Sequence, residues 1–297
     1  MNGFINIDKP SGITSYDVIR RLKPFLPRVK LGHLGTLDPM ASGVLPIAVG
    51  YATRLIGYIN DNTKEYQAEM LLGGVSDTQD STGQISQISS EPVTRAQISA
   101  ALERMVGEIK QIPPMYSAVH FQGRRLYELA RQGTEVEVKP RLVTVNYIKL
   151  LDVANDNGHQ AVRFMIGCSS GTYVRTICHD VGQQLGCGAY LNSLIRTRSG
   201  PFTLEKACKL DSLISNPEEI TARLWPPDFP LQGIPRVEME PAGVWAIING
   251  AAVSWPGVEN NGLYRIYDQN ERLLAIARGQ IKAAREMLQP EKVLTRG

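Results

Sequence analysis

The chain has 297 residues, of which 43% are hydrophobic and 21% are charged. These values are ordinary for a soluble globular protein, and the length suffices for one large domain and a small one. No run of about 18 apolar residues occurs, so we expect no membrane span. Because the first residues also lack the basic and apolar regions of a signal peptide, we expect a cytoplasmic protein.

The charge is unevenly distributed along the chain. The net charge of +3 suggests a polyanionic partner only weakly. Between Lys110 and Lys149, however, seven basic residues stand against three acids, with four aromatic residues among them. This composition is typical of a nucleic-acid contact surface. A solvated protein face can have the same charge, so both interpretations stay open at this point.

The four cysteines, at positions 168, 178, 187 and 208, do not predict a metal centre. No pair has the Cys-x-x-Cys spacing of a structural zinc site. Cys178 and His179 with Cys187 form a loose metal candidate, but buried reduced thiols are the simpler interpretation. The polar loop at 76–83 lacks the ligand spacing of a calcium loop. We therefore expect no metal.

The first part of the chain is organised around the glycine-rich segment 30–45. Before it, we predict a strand at 4–7 and a helix that Ser15 caps. Within the segment, glycines allow positive φ values or close backbone approach, and Pro39 restricts the backbone of Asp38. Asp38 therefore lies on a rigid bend. The pattern alone does not decide whether Asp38 makes a structural Asx turn or belongs to a site.

Alternation and capping patterns predict the next elements. A short helix is expected at 53–58. From Tyr66 onward, every second residue in 64–72 is apolar, which predicts a half-buried strand; Tyr66 then belongs either to the core or to a ligand pocket. Thr94 opens a capping box and begins a helix whose apolar face extends to Ile109.

The basic and aromatic segment has a predicted helical centre at 126–131, between the candidate hinges Gly123 and Gly133. A strand pair follows at 143–153 and 161–168. The turn expected between these strands lies at 155–158.

Two helices are predicted after this strand pair. The first begins at 171–172, has Tyr173 and Arg175 in its first turn, and ends at Gly186. The second is short, covers 190–195 and contains Leu194, which is most often a core residue in such a place.

Proline-rich composition at 225–230 indicates a linker. We therefore predict a large domain at 1–232 and a small domain at 233–297, with strands at 263–267 and 273–277.

Several common catalytic arrangements are missing from the sequence. No Gly-x-Ser-x-Gly elbow is present, and His33, Asp38 and Ser42 are too close in sequence for a usual serine triad. Neither a Walker loop nor a dinucleotide fingerprint occurs. What is left is a single aspartate in a glycine-rich loop, a candidate arginine partner elsewhere, and a basic, aromatic surface.

Several sequence blocks resemble one known family. Segment 32–45 is similar to the active-site motif of the TruB family of tRNA pseudouridine-55 synthases. One departure is His120, where the family pattern has a lysine, and this affects one RNA contact of the thumb-like segment. The other matching blocks occur in family order within residues 3–211, namely 9–15, 64–66 with 76–80, 114–118 continuing to Arg131, and 171–175.

The resemblance implies an α+β fold of the pseudouridine-synthase type. It has a mixed, mainly antiparallel sheet with flanking helices, a thumb-like basic insertion at 110–142, and a small C-terminal β-rich, PUA-like domain at 233–297. The implied activity is isomerisation of uridine 55 in the T-loop of tRNA to pseudouridine, by base flipping and Asp-dependent cleavage and rejoining of the glycosidic bond. No metal or organic cofactor is implied. The expected partner is the T-arm of tRNA, and the chain is expected to be a monomer.

The resemblance also implies roles for individual residues. Asp38 is the expected catalytic carboxylate, and an opposite charge would hold it ionised. A flipped base needs an aromatic platform, for which Tyr66 is suited. His33 is expected to occupy the space that the base leaves in the RNA loop. Asp80 and Lys64 are expected to support the substrate-binding residues without contacting the substrate themselves. The expected substrate-binding residues are His33, Tyr66, Tyr173, Leu194 and Arg175.

Two other functions stay open from the residues alone. A non-catalytic tRNA-binding or RNA-folding protein would use the same basic surface, and a hydrolase would use His33. An intact pair of Asp38 and Arg175 favours the enzyme, because binding a polyanion gains nothing from a buried carboxylate.

Overall fold

A large β-sheet forms the frame of the structure, which is a computed structural model. The structure describes residues 1–294 except 62, 89–90, 118, 131, 135, 157–158 and 284, and at 156 and 159 it describes the backbone alone. In these residues the strands are β1 (Gly3–Lys9), β2 (Leu31–His33), β3 (Ser42–Val49), β4 (Lys64–Leu72), β5 (Gly74–Ser76), β6 (Ile85–Gln87), β7 (Gly107–Gln111), β8 (His120–Phe121), β9 (Arg124–Arg125), β10 (Arg141–Asp156), β11 (His159–Cys168), β12 (Ala189–Ser199), β13 (Phe202–Thr203), β14 (Cys208–Lys209), β15 (Leu224–Trp225), β16 (Arg236–Glu238), β17 (Val253–Ser254), β18 (Leu263–Tyr267), β19 (Leu273–Lys282) and β20 (Arg285–Val293).

The helices begin where side chains satisfy the first backbone N–H groups. Thr14 with Asp17 and Thr94 with Gln97 form capping boxes, which pair two otherwise unsatisfied donors at each helix start. The first cap is Thr14 and not the predicted Ser15, whose hydroxyl instead contacts Leu37. The α-helices in the described residues are α1 (Ser15–Leu22), α2 (Arg95–Glu103), α3 (Leu126–Ala130), α4 (Val174–Leu185), α5 (Leu210–Ser215) and α6 (Pro241–Ile248).

Eleven of the described strands form one mixed sheet. Its main path is β14-β1-β3-β12-β4-β11-β10-β7, and β13, β15 and β2 attach to β12, β1 and β3. The pairs β1–β14 and β3–β12 are parallel. The second of these pairs places residues 42–43 beside 195–196. The end of segment 30–45 therefore lies in the middle of the sheet.

The main core lies between one face of this sheet and four helices. The predicted alternation of β4 is confirmed, because Tyr66 and the apolar residues that alternate with it are buried. The alternate residues of β11 are buried in the same way, namely Val162, Phe164, Ile166 and Cys168. Burial of such side chains is the main stabilising contribution to the fold. The helix residues that complete this core are Val18 and Leu22 of α1, Ile98 and Leu102 of α2, Ile177 and Val181 of α4, and Leu210 and Leu213 of α5.

A second sheet follows the linker. Five of the described strands form it in the order β16-β18-β19-β20-β17, and α6 packs on it. Leu231 and Ile234 of the linker join Tyr267 of this sheet in a cluster that also contains Leu55 of the first part of the chain. The predicted domain boundary after residue 232 falls between the two sheets and stays a prediction.

Three predicted helices are wrong in extent or type. The helix at 190–195 is part of strand β12, whose pairing with β4 has two register shifts; these interrupt the period of two by which a strand is recognised. Helix α2 ends at Glu103 and does not extend to Ile109, because the chain turns at Gly107 (φ 107°) and continues as β7. The helix expected at 53–58 is instead two short 3₁₀ helices, Gly50–Arg54 and Ile56–Tyr58. Residues 157–158 of the predicted turn lie outside the described residues.

The contact between α4 and β12 yields a test of the fold. A Cβ atom added to Gly182 would lie 2.0 Å from the backbone nitrogen of Ala189, so Gly182→Ala forces the helix away from the sheet. We expect a loss of about 1–3 kcal/mol in the free energy of unfolding, measured by urea denaturation. Gly57→Ala is the control, since that Cβ meets nothing within 4 Å. Equal stability of the two variants would contradict this packing.

Candidate active site

A cavity of about 520 Å³ contains most of the predicted site residues. It lies where segment 35–38, strands β4 and β12 and the start of α4 meet, beside Ser117, Val119 and His120. The predicted residues that line it are Asp38, Lys64, Tyr66, Tyr173, Arg175 and Leu194.

Asp38 and Arg175 form an ion pair in this cavity. Nε of Arg175 lies 3.0 Å from Oδ2 of Asp38, and the side chain of Arg175 is 4% exposed, whereas that of Asp38 is 33% exposed. The Nε–H group is not aligned as a hydrogen bond, so the attraction is that of two close opposite charges. Asp38 thus has a fixed counter-ion and still keeps part of its carboxylate open to the cavity.

The remaining donors of Arg175 are committed to other segments. Nη2 donates to the carbonyl oxygen of Tyr116 at 3.0 Å and Nη1 to that of Thr78 at 3.2 Å. Nη1 also lies 3.5 Å from Oδ2 of Asp80. Asp80 accepts hydrogen bonds from the Thr78 hydroxyl and the Thr82 backbone N–H. Asp80 therefore does not line the cavity but contacts Arg175 from the far side.

The N-terminal segment holds the loop on both sides of Asp38. The backbone N–H of Gly12 donates to the carbonyl oxygen of Pro39 at 2.8 Å. The hydroxyl of Ser15 accepts from the N–H of Leu37 at 2.8 Å and donates to the carbonyl oxygen of the same residue at 3.0 Å. The backbone positions before and after Asp38 are thus fixed by groups from outside the loop.

Lys9 is a buried cation beneath this loop. Its Nζ donates to the carbonyl oxygens of Pro10 at 2.9 Å, Ile13 at 2.8 Å and Pro39 at 3.3 Å, and the residue has no exposed surface. Burial lowers the pKa of Lys9 to about 8, although the charge of Asp38 opposes this change. Lys9 therefore satisfies three carbonyl groups and adds positive charge near the Asp38 loop.

Burial also raises the pKa of Asp38 above its usual value. Arg175 is the strongest opposing influence, the negative charge of Asp80 adds to the increase, and Lys9 reduces it. Desolvation disfavours a charged carboxylate, whereas a nearby cation favours it. The site thus holds an aspartate whose proton affinity is increased and whose counter-ion limits that increase.

Aromatic and aliphatic side chains form the walls of the cavity. Tyr66 and Leu194 come from the neighbouring strands β4 and β12 and are 8% and 7% exposed. Tyr173 precedes α4, and the side-chain amide of Gln111 fixes its backbone through hydrogen bonds of 2.7 and 3.0 Å. The cavity therefore has flat and apolar surfaces beside one charged pair.

Lys64 and His33 are placed differently from the expectation. Lys64 lines the cavity itself and donates from Nζ to the hydroxyl of Ser199 at 2.9 Å; burial lowers its pKa to about 8. His33 ends β2 opposite Ile47 and is not among the lining residues. Burial lowers the pKa of His33 as well. The proposed roles of both residues stay predictions.

Sequence reasoning assigned no role to Arg196, which lines the cavity, or to Lys9 beneath the loop. Arg196 directly follows the helix that was predicted at 190–195, so it was not recognised as part of a strand. His120 and Arg141, which also line the cavity, were predicted only as parts of the thumb-like insertion.

The thumb-like insertion carries a small hairpin near the cavity. His120 pairs with Arg125 and Phe121 with Arg124. The two turn residues between them have φ values of 48° and 83°, as a two-residue type I′ hairpin requires. Arg124 and Arg125 are exposed. Ala118 and Arg131, which also belong to the matching sequence block, lie outside the described residues.

Within the described part of the chain, no group of three or more His, Cys, Asp or Glu side chains is arranged to hold a metal ion. In the same residues, no helix has the length and apolar character needed to cross a membrane.

Comparison with known proteins identifies the family. The family model described as "TruB family pseudouridylate synthase (N terminal domain)" matches residues 23–174. The model described as "tRNA pseudouridylate synthase B C-terminal domain" matches residues 175–228. The chain belongs to the TruB family of pseudouridylate synthases.

Curated relatives agree over the full length. The chain is 48% identical over 294 residues to a tRNA pseudouridine synthase B of Syntrophomonas wolfei, with 99% of this chain and 98% of the relative covered. A protein of the same name from Heliobacterium modesticaldum is 40% identical, with 100% and 96% covered.

Solved structures show the same fold. The chain is similar to a chain of a Cbf5-Nop10-Gar1 complex with a TM-score of 0.75 and 29% identity, covering 99% of this chain and 85% of the other. A chain of an H/ACA RNP bound to a substrate RNA containing 2'-deoxyuridine gives a TM-score of 0.73 and 28% identity, with coverage of 99% and 85%. The predicted family, fold class and enzyme class are confirmed: the chain is a pseudouridine synthase and therefore an isomerase.

The raised pKa of Asp38 leads to a pH prediction. If Asp38 acts ionised, activity is lost as the pH falls through its pKa. We expect the acid limb of kcat/KM to lie above pH of about 3.9, the ordinary aspartate value. Arg175→Gln removes the main opposing charge and is expected to move this limb to higher pH.

The measurement is a pH–rate profile, with circular dichroism at each pH to confirm folding. Arg198→Gln is the matched control, because Arg198 is exposed and bonded to Gly200. An unchanged limb in Arg175→Gln would contradict the assignment of the limb to Asp38.

Proposed function

We propose that Asp38 is the catalytic carboxylate with which this tRNA pseudouridine synthase isomerises uridine 55 in the T-arm of tRNA. The observation that carries the proposal is the ion pair of the partly exposed Asp38 with the buried Arg175 inside the large cavity. The names of the full-length relatives support tRNA as the substrate class.

The reaction needs one ionised carboxylate next to the target nucleotide. The bond between N1 of uracil and C1′ of ribose breaks, the base rotates, and C5 is joined to C1′. C5 then loses its proton, and N1 carries one in the product. An ionised Asp38 is competent either as a nucleophile or as a base. Arg175 supports both roles, because it stabilises the ionised form.

The target uridine has to leave the folded RNA loop to reach Asp38. Base flipping costs a few kcal/mol, and a stacking contact of about 1–3 kcal/mol per base offsets part of this. Tyr66 lines the cavity, and we propose its ring for such a contact. Tyr173 and Leu194 would bound the base on other sides, and His33 would fill the space left in the RNA loop.

The thumb-like insertion at 110–142 would bind backbone phosphates. Its hairpin exposes Arg124 and Arg125, and Arg141 reaches the cavity wall. Contacts of this kind release counter-ions and weaken with salt. The PUA-like domain at 233–297 is proposed as a further RNA contact. The monomeric state and the cytoplasmic location belong to the same proposal.

The sequence alone also left open a protein that only binds or folds tRNA. The basic surface serves both functions equally well. The ion pair favours the enzyme, because a carboxylate in an RNA-binding cavity repels phosphate and weakens simple binding. A catalytic role for Asp38 would explain why this cavity contains a carboxylate.

Asp38→Asn tests the proposed function. The amide keeps the size of the side chain but removes the charge that either role requires. We expect release of tritium from tRNA labelled at uridine C5 to be lost, while the Kd for tRNA changes little. Asp211→Asn, a change of an 81% exposed acid, is the control. Substantial turnover by Asp38→Asn would refute the assignment.

Tyr66 is tested with two substitutions. Tyr66→Phe keeps the ring and is expected to have a mild effect. Tyr66→Leu removes the stacking face, so we expect a loss of about 1–3 kcal/mol in transition-state binding, measured as kcat/KM. Losses of equal size would show that the ring does not stack on the base.

A further inference from the structure

Arg196 lies between the two parts of the site that must be aligned with each other. Strand β12 runs between β3 and β4, and Arg196 is the partner of Gly43 on one side and of Tyr66 on the other. A Cβ atom on Gly43 would lie 2.3 Å from the carbonyl oxygen of Arg196. Only glycine therefore allows the catalytic loop to approach this closely.

The guanidinium of Arg196 holds the start of that loop. Nε donates to the carbonyl oxygen of Val44 at 2.7 Å, Nη1 to that of Thr36 at 3.3 Å, and Nη2 to that of Gly35 at 3.3 Å. Gly35 and Thr36 immediately precede Leu37 and Asp38. One side chain thus bridges both ends of the loop.

Arg196 also lies beside the aromatic wall. Its backbone pairs in register with that of Tyr66, and both residues line the cavity. Burial raises the pKa of Tyr66, and the nearby positive charge of Arg196 opposes this increase. Arg196 therefore adjoins both the proposed stacking residue and the backbone that carries the proposed catalytic acid.

The burial of Arg196 makes this arrangement costly. The residue is 1% exposed, and among the described residues it forms no salt bridge with an acid. A buried cation without a carboxylate is retained only where its donors are satisfied in another way. Here three carbonyl oxygens of the catalytic loop region satisfy them.

We infer that Arg196 is a positioning residue that keeps the Asp38 loop and the ring of Tyr66 at a fixed separation. A base stacked on Tyr66 then lies within reach of the carboxylate. This inference rests on the proposed function, because it assumes that Asp38 reacts with the base or its sugar. Arg196 acts through these two groups and does not itself take part in the chemistry.

Lysine cannot replace arginine in this role. The planar guanidinium presents donors in several fixed directions, whereas an ammonium group is a compact point charge on a flexible chain. Arg196→Lys keeps the charge and most of the bulk but cannot reach three separate carbonyl groups in this geometry. It therefore changes alignment more than it changes charge.

The experiment compares Arg196→Lys with Arg198→Lys, a control on the same strand whose residue is exposed. Single-turnover rates and Kd for tRNA are measured separately, and thermal unfolding and circular dichroism establish that each variant is folded. For Arg196→Lys we expect the rate to fall by about 10- to 100-fold, as for a misplacement of about 1 Å, with Kd within about threefold of the unmodified chain. The control is expected to change neither. Arg196→Met, if folded, should be slower than Arg196→Lys.

The outcomes separate this inference from the proposed function. A folded Arg196→Lys variant with an unchanged rate overturns the positioning role, even when Asp38→Asn is inactive. A rate loss matched by an equal loss of tRNA binding also overturns it, because alignment affects the rate and not the affinity. Turnover by Asp38→Asn refutes the proposed function itself.

Discussion

The ion pair of Asp38 and Arg175 is the constraint on which the rest of the site depends. A cavity that can enclose a nucleobase also removes water from a carboxylate, which raises its pKa. Arg175 counters this effect because it is almost fully buried and its Nε lies 3.0 Å from Oδ2 of Asp38. Its Nη groups are held by the loop that carries Asp80 and by the insertion that contains Tyr116. Two other segments of the chain therefore fix the counter-ion of Asp38.

The loop around Asp38 shows how a fold gives precision to an irregular segment. The loop contributes few interactions of its own, and its carbonyl and N–H groups are instead satisfied by Lys9, Gly12, Ser15 and Arg196. These groups come from β1, the following turn, α1 and β12. Sites are held most accurately when rigid elements support them from outside. The central sheet supplies that support, because strand β3 begins directly after the loop and lies between β1 and β12 in the sheet.

The sequence predicted what depends on local pattern. The alternation around Tyr66, the capping box at Thr94 and the glycine that ends α4 were readable because each signal lies within a few residues. Strand β12 was not readable, since its bulges interrupt the alternation and its partner β3 is distant. The family motifs pointed to Asp38 and Arg175. Arg196 was missed because the carbonyl groups that it contacts lie at least 152 residues away in the chain.

The distribution of charge around the cavity explains how a carboxylate can work beside a polyanion. Phosphate groups of RNA compete with Asp38 for any accessible cation. Arg175 is 3% exposed, and its donors are committed to protein groups, so RNA cannot draw it away from Asp38. Arg196 is protected in the same way by the carbonyl groups of the loop. Lys64 and Arg141 line the same cavity and are more exposed than these two arginines, so the proposed RNA contacts would fall to them. In this proposal the buried arginines stabilise the acid and its loop, and the more accessible basic groups attract the substrate.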